Sequence, residues 1–290
     1  MIRDDLCLLE WALCGPGGLV LPDRVPSTVP NTVRGSDMRQ DQRTESLSAL
    51  ERAHANACPD GEYVGQESFM LASEIRTLAR QARVGPGVRM LDLCCGVAGP
   101  GRLITVESGC RYLGVDQSES ALATARRLAG KLPCRFEQAR LPPLPEGRFQ
   151  VVLLLETMLA FPDKETLVEE VARALEPGGR FAFTVEEGRP LTRLEQPRMP
   201  GADTVWPVEL AELTDVLRNA GLAVTWQQEY SSAHHAMATA LLRCYQADSA
   251  EIAGQIGEQA TAELITAHQL WKDWLGSGRM RKFAMVAEKQ

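Results

Sequence analysis

The sequence lacks the signatures of several common protein classes. Its eight cysteines contain no Cys-x-x-Cys pair, and none of the four histidines stands at zinc-finger spacing from a cysteine. We therefore predict neither a disulfide framework nor a metal site. Cysteines that lie within apolar runs are typical of free thiols packing as small hydrophobes, which favours a reducing, cytoplasmic location.

Long apolar runs and a surplus of positive charge are also missing. No run approaches the ~18–20 residues of a membrane span, and acids such as Asp4 and Glu10 argue against a signal peptide. The formal net charge is -7, whereas nucleic-acid binding needs concentrated Lys and Arg. The one basic cluster, Arg279, Arg281 and Lys282, is interpreted as a solvated strand start. We expect a partner that is neither nucleic acid nor membrane.

What the sequence does have is the alternation of an α/β domain. With 44% apolar and 24% charged residues, the chain can fill a sizeable core. Short apolar strands alternate with segments of helical periodicity, which predicts a doubly wound, mostly parallel sheet. The predicted strands are 88–95, 112–115, 134–136, 151–155 and 180–186. The predicted helices are 66–83, 99–108, 118–130 and 164–175.

The two ends of the chain depart from this alternation. Residues 1–37 are rich in Gly and Pro and are expected to be poorly ordered, and Met38 is a candidate natural start. Residues 38–290 are predicted to form one domain. After a helix at 207–219, strands 222–229 and 283–286 are expected to close the sheet, the last one antiparallel.

Between those two strands lies an insertion at 232–275 that is far longer than a hairpin turn needs. The apolar residues Ile252, Ile256 and Leu264 recur at helical spacing, which favours helices over disorder. We predict a helical lid over the ligand edge of the sheet. A dimer interface needs the same apolar stripe, so a homodimer remains an alternative.

The segment from Met90 to Gly101 reads as an apolar strand, a tight turn of small residues and a helix start. Such a turn allows backbone N–H groups to approach a ligand closely. Asp116 ends the next strand, where an acid in nucleotide-binding α/β folds bonds ribose hydroxyls. The two features together predict a nucleoside-containing ligand, and glycines that serve only close helix–strand packing are the less favoured alternative.

This segment resembles the class I S-adenosylmethionine-dependent methyltransferase family, which carries acid-x-Gly-x-Gly-x-Gly at the first turn. The resemblance implies that S-adenosylmethionine is the methyl donor and a small molecule the acceptor. It also implies the cofactor-binding residues Asp92 for the methionine amino end, Cys94, Gly96 and Ala98 for the turn, Asp116 for the ribose, and Gln138 and the Ala139 N–H for adenine. Cys94 and Ala98 depart from the family pattern, since glycines are usual there.

Two alternatives stay open. A nicotinamide-dependent oxidoreductase also has a glycine-rich turn and a ribose acid, although Cys94 replaces its first glycine and Asp92 places a carboxylate at the strand end. A non-catalytic ligand-binding protein can have the same fold, because fold does not fix function.

Candidate catalytic residues follow the fourth and fifth strands, where ligands of open sheets lie. Glu156 follows five apolar residues, so a buried carboxyl with a raised pKa is expected. Of Glu186 and Glu187, at most one is expected to face the pocket. His234 is a candidate general base, although surface or capping roles are the simpler prediction for it and for His235.

Three aromatic residues complete the candidates. Tyr63, ahead of the first helix, is expected to help close over the cofactor. Trp271 and Trp274 are predicted to pack within the insertion, and contact with a cationic or apolar acceptor is the alternative for them.

Overall fold

A seven-stranded sheet runs through the computed structural model, which describes residues 48–290, so the predicted segment 1–37 lies outside the described residues. The strand order is β3-β2-β1-β4-β5-β7-β6, with β7 antiparallel to both of its neighbours. The strands are β1 (Arg89–Leu93), β2 (Arg111–Asp116), β3 (Cys134–Gln138), β4 (Phe149–Leu154), β5 (Leu175–Glu187), β6 (Leu222–Glu229) and β7 (Arg281–Lys289). The prediction of a Rossmann-like, mostly parallel sheet with an antiparallel last strand is confirmed.

Nine α-helices of the described residues surround the sheet, and two apolar clusters fill the space between the layers. They are α1 (Ala49–Ala57), α2 (Ala72–Gln81), α3 (Gly99–Ser108), α4 (Glu119–Ala129), α5 (Lys164–Ala174), α6 (Leu210–Asn219), α7 (Ser231–Ala247), α8 (Ser249–Ile256) and α9 (Glu258–Ser277). Local signals set several of their ends. Asp163 accepts a hydrogen bond from Thr166 N–H at the start of α5, and Gly109 ends α3 in a left-handed conformation.

The helix predicted at 66–83 begins only at Ala72. The side chain of Gln66 explains the difference, because its amide donates to the carbonyl oxygens of Glu62 and Met70 and accepts from Val64 N–H. A side chain that satisfies nearby backbone groups competes with helix formation. Residues 65–68 therefore run as an irregular segment beside the sheet edge, where they border the site described below.

The insertion is helical, as predicted, and forms α7, α8 and α9. An unpredicted partner, α1, packs against it through a shared apolar cluster. Ala49 N–H also donates to Gln255 Oε1 at 3.1 Å. Members of the cluster include Leu50, Met237, Leu241, Tyr245, Ile252 and Leu264. Within residues 48–290, none of these helices has both the length and the apolar character needed to cross a membrane.

Candidate functional site

Four carboxyl side chains meet at one edge of the sheet. Asp92 lies near the end of β1, Asp116 ends β2, Glu156 follows β4, and Glu186 is the penultimate residue of β5. The strand β1 lies between β2 and β4, so the chain order reverses beside it. Ligands of open α/β sheets bind at such a switch point, beyond the carboxyl ends of the strands.

The turn after β1 has the left-handed backbone that glycine tolerates best. Cys94, Gly96 and Ala98 have φ values of 55°, 51° and 57°. A Cβ atom added to Gly96 would meet nothing within 4 Å, so this position faces open space. The two non-glycine residues thus hold a conformation that is uncommon for side-chain-bearing residues, and the turn keeps its shape despite the departures from the glycine pattern.

Two further glycines of the same segment serve packing. A Cβ on Gly99 would lie 2.4 Å from the carbonyl oxygen of Gly65, and one on Gly101 would lie 2.3 Å from the ring of Tyr112. The hydroxyl of Tyr112 donates to Asp92 Oδ2 at 2.7 Å. Close packing therefore explains Gly99 and Gly101, whereas it does not explain Gly96.

A groove of about 630 Å³ lies between this turn and the irregular segment 65–68. The described residues that line it include the carboxyl groups of Glu67, Asp92 and Glu156 and no Lys or Arg. Burial raises the pKa of Asp92 to about 7, against the hydrogen bond from Tyr112. Burial, with Glu51 and Asp116 nearby, raises the pKa of Glu67 to about 7. A cationic ligand would stabilise the ionised form of both carboxyl groups.

The groove continues past the end of β2, because Cys94 and Thr157 line both halves. In the second half Asp116 Oδ2 accepts from Gly96 N–H at 2.8 Å, and Oδ1 accepts from Ser118 N–H at 2.9 Å. Burial raises the pKa of this carboxyl. Asp116 therefore fixes the turn and borders the groove at the same time.

The adenine contacts expected from Gln138 and Ala139 need correction. The backbone N–H of Ala139 already donates to the carbonyl oxygen of Asp116 at 3.0 Å. The side-chain amide of the exposed Gln138 donates to the Gln117 carbonyl at 2.9 Å, outside the set of groove-lining residues. Ala139 does line the groove, so it contributes a wall and not a donor.

A group of three largely buried charged side chains is formed by Glu156, Glu186 and Lys282. The antiparallel register of β5 and β7 places Lys282 directly opposite Glu186. Lys282 Nζ forms an ion pair with Glu186 and another with Glu156 Oε1, 2.7 Å away. The prediction that Lys282 is solvated is wrong, since only 2% of it is exposed.

Lys282 also reverses the direction of the pKa shift that was expected for Glu156. Burial alone raises the pKa of Glu156, but the ammonium of Lys282 and the nearby His234 outweigh it, so the pKa is lowered. The expected raised pKa is therefore wrong, and Glu156 is an ionised carboxylate. The same ion pairs raise the pKa of Lys282 against its burial. Glu156 has a φ of 59° and donates its N–H to Thr184 Oγ1 at 2.6 Å, which fixes the turn after β4.

His234, Glu186 and Glu187 were the other candidates near the ends of these strands, and the structure gives each of them different surroundings. His234 is fully buried, with Nε2 2.9 Å from Glu74 Oε2 and its ring stacked on Tyr230. The expected surface role is thus wrong, and His234 is absent from the walls of the described cavities. Glu186 lines a cavity, whereas Glu187 pairs with Arg281 on the other side of β5.

A second cavity, of about 830 Å³, lies between the buried ion pairs and α9. Ser68 and Glu156 line both this cavity and the groove, so the two spaces meet there. Trp271 lines the cavity, while Trp274 packs in a neighbouring apolar cluster with the two rings 5.5 Å apart. The remaining walls come from Phe69, Leu159, Glu186, Met199, Pro200, Glu263, Ala267, His268, Leu275 and Lys282.

Sequence reasoning missed Lys282, His268 and Phe69 as site residues. The hydropathy pattern gave no signal for Lys282, because its burial depends on the register of β7. His268 lies four residues after Leu264 on the apolar face of α9, which was a usable signal for a buried histidine. Tyr63 does not line the described cavities, whereas residues 65–68 do.

Known proteins share parts of this architecture. Residues 91–183 match the family model described as a methyltransferase domain. The sterol 24-C-methyltransferase of Gibberella zeae is 28% identical over 160 residues, covering 48% of this chain and 42% of the relative. The chain thus spans less than half the length of that relative.

Two solved structures share the fold. The cyclopropane synthase MmaA2 from Mycobacterium tuberculosis matches with a TM-score of 0.72 and 13% identity, over 85% of this chain and 95% of that one. The [4+2]-cyclase SpnF matches with a TM-score of 0.66 and 19% identity, over 83% and 92%. Similarity at this level shows the fold and not the reaction.

We predict that Lys282→Met lowers the free energy of unfolding by about 3–5 kcal/mol, because it leaves two buried carboxyl groups without their cation. Chemical denaturation measures the change. Adding Glu186→Gln to this variant should recover part of the loss. Lys131→Met, at an exposed position, is the control and should change stability by less than about 0.5 kcal/mol. Equal effects of the two single changes would contradict the ion-pair assignment.

Proposed function

Since the chain belongs to the class I S-adenosylmethionine-dependent methyltransferases, we propose that it transfers a methyl group from S-adenosylmethionine to a small, largely apolar molecule. The observation that carries the proposal is the acidic groove beside the glycine turn, whose lining carboxyl groups include Glu67, Asp92 and Glu156. A sulfonium and an ammonium give the donor positive charge, which complements this groove.

The residues of the groove fit the donor on three counts. Gly96 leaves open space where a side chain would otherwise project. Asp92 and Glu67 have pKa values near 7, so an approaching cation readily ionises them. Asp116 retains carboxylate lone pairs beyond the two N–H groups that it accepts, which leaves it able to accept ribose hydroxyls.

When bound, S-adenosylmethionine supplies an activated methyl group on a sulfonium. The chain then has to hold donor and acceptor in line and exclude water. Ser68 and Glu156 stand where the groove meets the second cavity, so we assign the methyl-transfer position to that junction. Glu156, kept ionised by Lys282, would stabilise positive charge there and is a poor general acid.

We assign the second cavity to the acceptor and α9 to its lid. Phe69, Leu159 and Trp271 give the cavity an apolar body, and the buried ion pairs form one side of it. Because α9 supplies Trp271 and His268, the insertion at 231–277 would control which acceptors fit. The mostly apolar cavity wall and the net charge of -7 support a small-molecule acceptor over nucleic acid. The free thiols of the described cysteines support a cytoplasmic location.

The alternatives receive less support from the site. A nicotinamide dinucleotide would place its anionic pyrophosphate at the turn after β1. The carboxyl groups of Asp92 and Glu67 lie beside this turn, and their negative charge would repel the pyrophosphate. A non-catalytic ligand-binding protein on the same fold is the second alternative. Release of S-adenosylhomocysteine with an acceptor present distinguishes methyl transfer from binding without turnover.

The first prediction from this proposal concerns the turn. Gly96→Val should abolish S-adenosylmethionine binding, because the new side chain enters the groove and is strained at positive φ. Calorimetric titration of both proteins measures the affinity, and circular dichroism checks the fold. Gly85→Val, where an added Cβ also meets nothing, is the matched control and should bind normally. Tight binding of a nicotinamide cofactor by the unaltered protein, without S-adenosylmethionine binding, would overturn the proposal.

The second prediction concerns pH. Asp92 and Glu67 ionise near pH 7, and a cation prefers their ionised forms, so affinity for S-adenosylmethionine should rise with pH through this range. We expect about a tenfold loss of affinity from pH 7.5 to pH 5.5. Asp92→Asn should weaken this dependence on pH. Glu119→Gln, which removes an exposed ion pair with Arg126, should leave the dependence intact. An affinity that is constant or higher at pH 5.5 would refute the acidic-groove argument.

The third prediction concerns the lid. Trp271→Ala should leave S-adenosylmethionine affinity unchanged and lower kcat/KM for an accepted substrate by about tenfold, because it removes a wall of the acceptor cavity alone. Trp206→Ala, at an exposed tryptophan, is the control. If Trp271→Ala instead converts a dimer to a monomer by light scattering and keeps full turnover, α9 is an interface and not a lid.

A further inference from the structure

The acceptor cavity contains hydrogen-bond acceptors that have no partner in the described part of the chain. They are Glu186 Oε2 and His268 Nε2, both buried. Glu186 is 7% exposed and His268 is 3% exposed, and both residues line the cavity. A buried polar atom without a hydrogen-bond partner costs free energy. A ligand that donates hydrogen bonds to these two atoms would supply the missing partners and offset that cost.

The state of His268 follows from its other nitrogen. Nδ1 lies 2.8 Å from the carbonyl oxygen of Leu264, and a carbonyl only accepts, so Nδ1 carries the proton. Nε2 of the neutral ring is then a bare acceptor. The rings of Phe69 and Tyr245 meet this imidazole edge to face, which fixes its orientation. Burial lowers the pKa of His268 to about 4, so the ring is neutral at physiological pH.

The cavity wall also has a surplus of negative charge. The carboxyl groups of Glu156, Glu186 and Glu263 line it, and Lys282 is the one Lys or Arg among the described residues that do so. Lys282 is already paired with both Glu156 and Glu186. An anionic ligand would find no unpaired cation on this wall, whereas a cationic ligand would offset the surplus.

The rest of the wall is apolar and aromatic. Trp271 and Phe69 provide ring faces or edges, and Leu159, Met199 and Leu275 provide aliphatic surface. Aromatic faces attract ammonium groups, and the effect strengthens where water is excluded. The wall therefore suits a molecule with a hydrocarbon body and one cationic donor group.

We propose that the acceptor cavity binds an apolar amine in its ammonium form, which donates to Glu186 Oε2 and His268 Nε2 and packs its hydrocarbon against Trp271 and Phe69. Naming this amine as the methyl acceptor rests on the proposed function, and its ammonium would first have to lose a proton to solvent so that the nitrogen lone pair could take the methyl group. The binding of the ammonium form to the cavity does not rest on the proposed function and can be measured separately.

The test compares three ligands of one chain length by calorimetric titration at pH 7: octylamine, 1-octanol and octanoate. Octylamine should bind at least tenfold more tightly than 1-octanol, and octanoate should show no binding. Glu186→Gln should weaken octylamine binding at least tenfold and change 1-octanol binding less than twofold. Glu187→Gln is the matched control, because its carboxyl group lies next in sequence but pairs with Arg281 away from the cavity; octylamine binding should stay within twofold.

His268→Leu provides an independent test that leaves the three ion-paired residues in place, and it should weaken octylamine binding several-fold. Titration of each variant with S-adenosylmethionine reports on the fold and on the proposed function. Normal donor binding combined with equal affinities for octylamine and 1-octanol overturns the inference, as does an equal loss in Glu187→Gln and Glu186→Gln. Octylamine binding without donor binding by the unaltered protein instead supports the cavity assignment and refutes the proposed function.

Discussion

The pairing of Lys282 with Glu156 and Glu186 is the constraint on which the site depends. Three charges lie in a nearly water-free space, and each is tolerable only because the other two are present. The pairing joins the turn after β4, the end of β5 and the start of β7. It therefore holds together the strands whose ends form the junction between the groove beside the glycine turn and the second cavity.

The groove and the second cavity are built by different parts of the chain and differ in chemistry. The groove is formed by elements within the region that matches the methyltransferase domain, residues 91–183, together with the irregular segment 65–68. Most of the second cavity comes from later in the chain, including Met199, α9 and Lys282. The groove thus lies mainly in the region that matches the methyltransferase domain, and most of the second cavity is built by residues that follow this region.

Buried polar atoms without a hydrogen-bond partner lie on the wall of the second cavity and elsewhere in the described residues. Glu186 and His268 contribute Oε2 and Nε2 at the cavity, whereas His54 Nδ1, Arg102 Nε and His234 Nδ1 lie away from it. Each such atom costs stability. A ligand in the cavity that donates hydrogen bonds would offset this cost for Glu186 and His268, while the hydrogen bond from His234 Nε2 to Glu74 supports a structural role for that histidine.

The sequence by itself determined the sheet, the glycine turn, Asp92 and Asp116 at the ends of their strands, and a helical insertion, because these depend on local periodicity and turn chemistry. It did not determine that Gln66 would end the first predicted helix early, or that the Ala139 N–H would be bonded to Asp116. The surroundings of Lys282 were decided only by the tertiary structure. Its burial, its two carboxylate partners and the lowered pKa of Glu156 all follow from the register of β7 against β5, which joins residues 96 positions apart. No local pattern encodes that pairing, since a lysine at a strand start is solvated unless a distant strand brings a buried carboxylate to meet it.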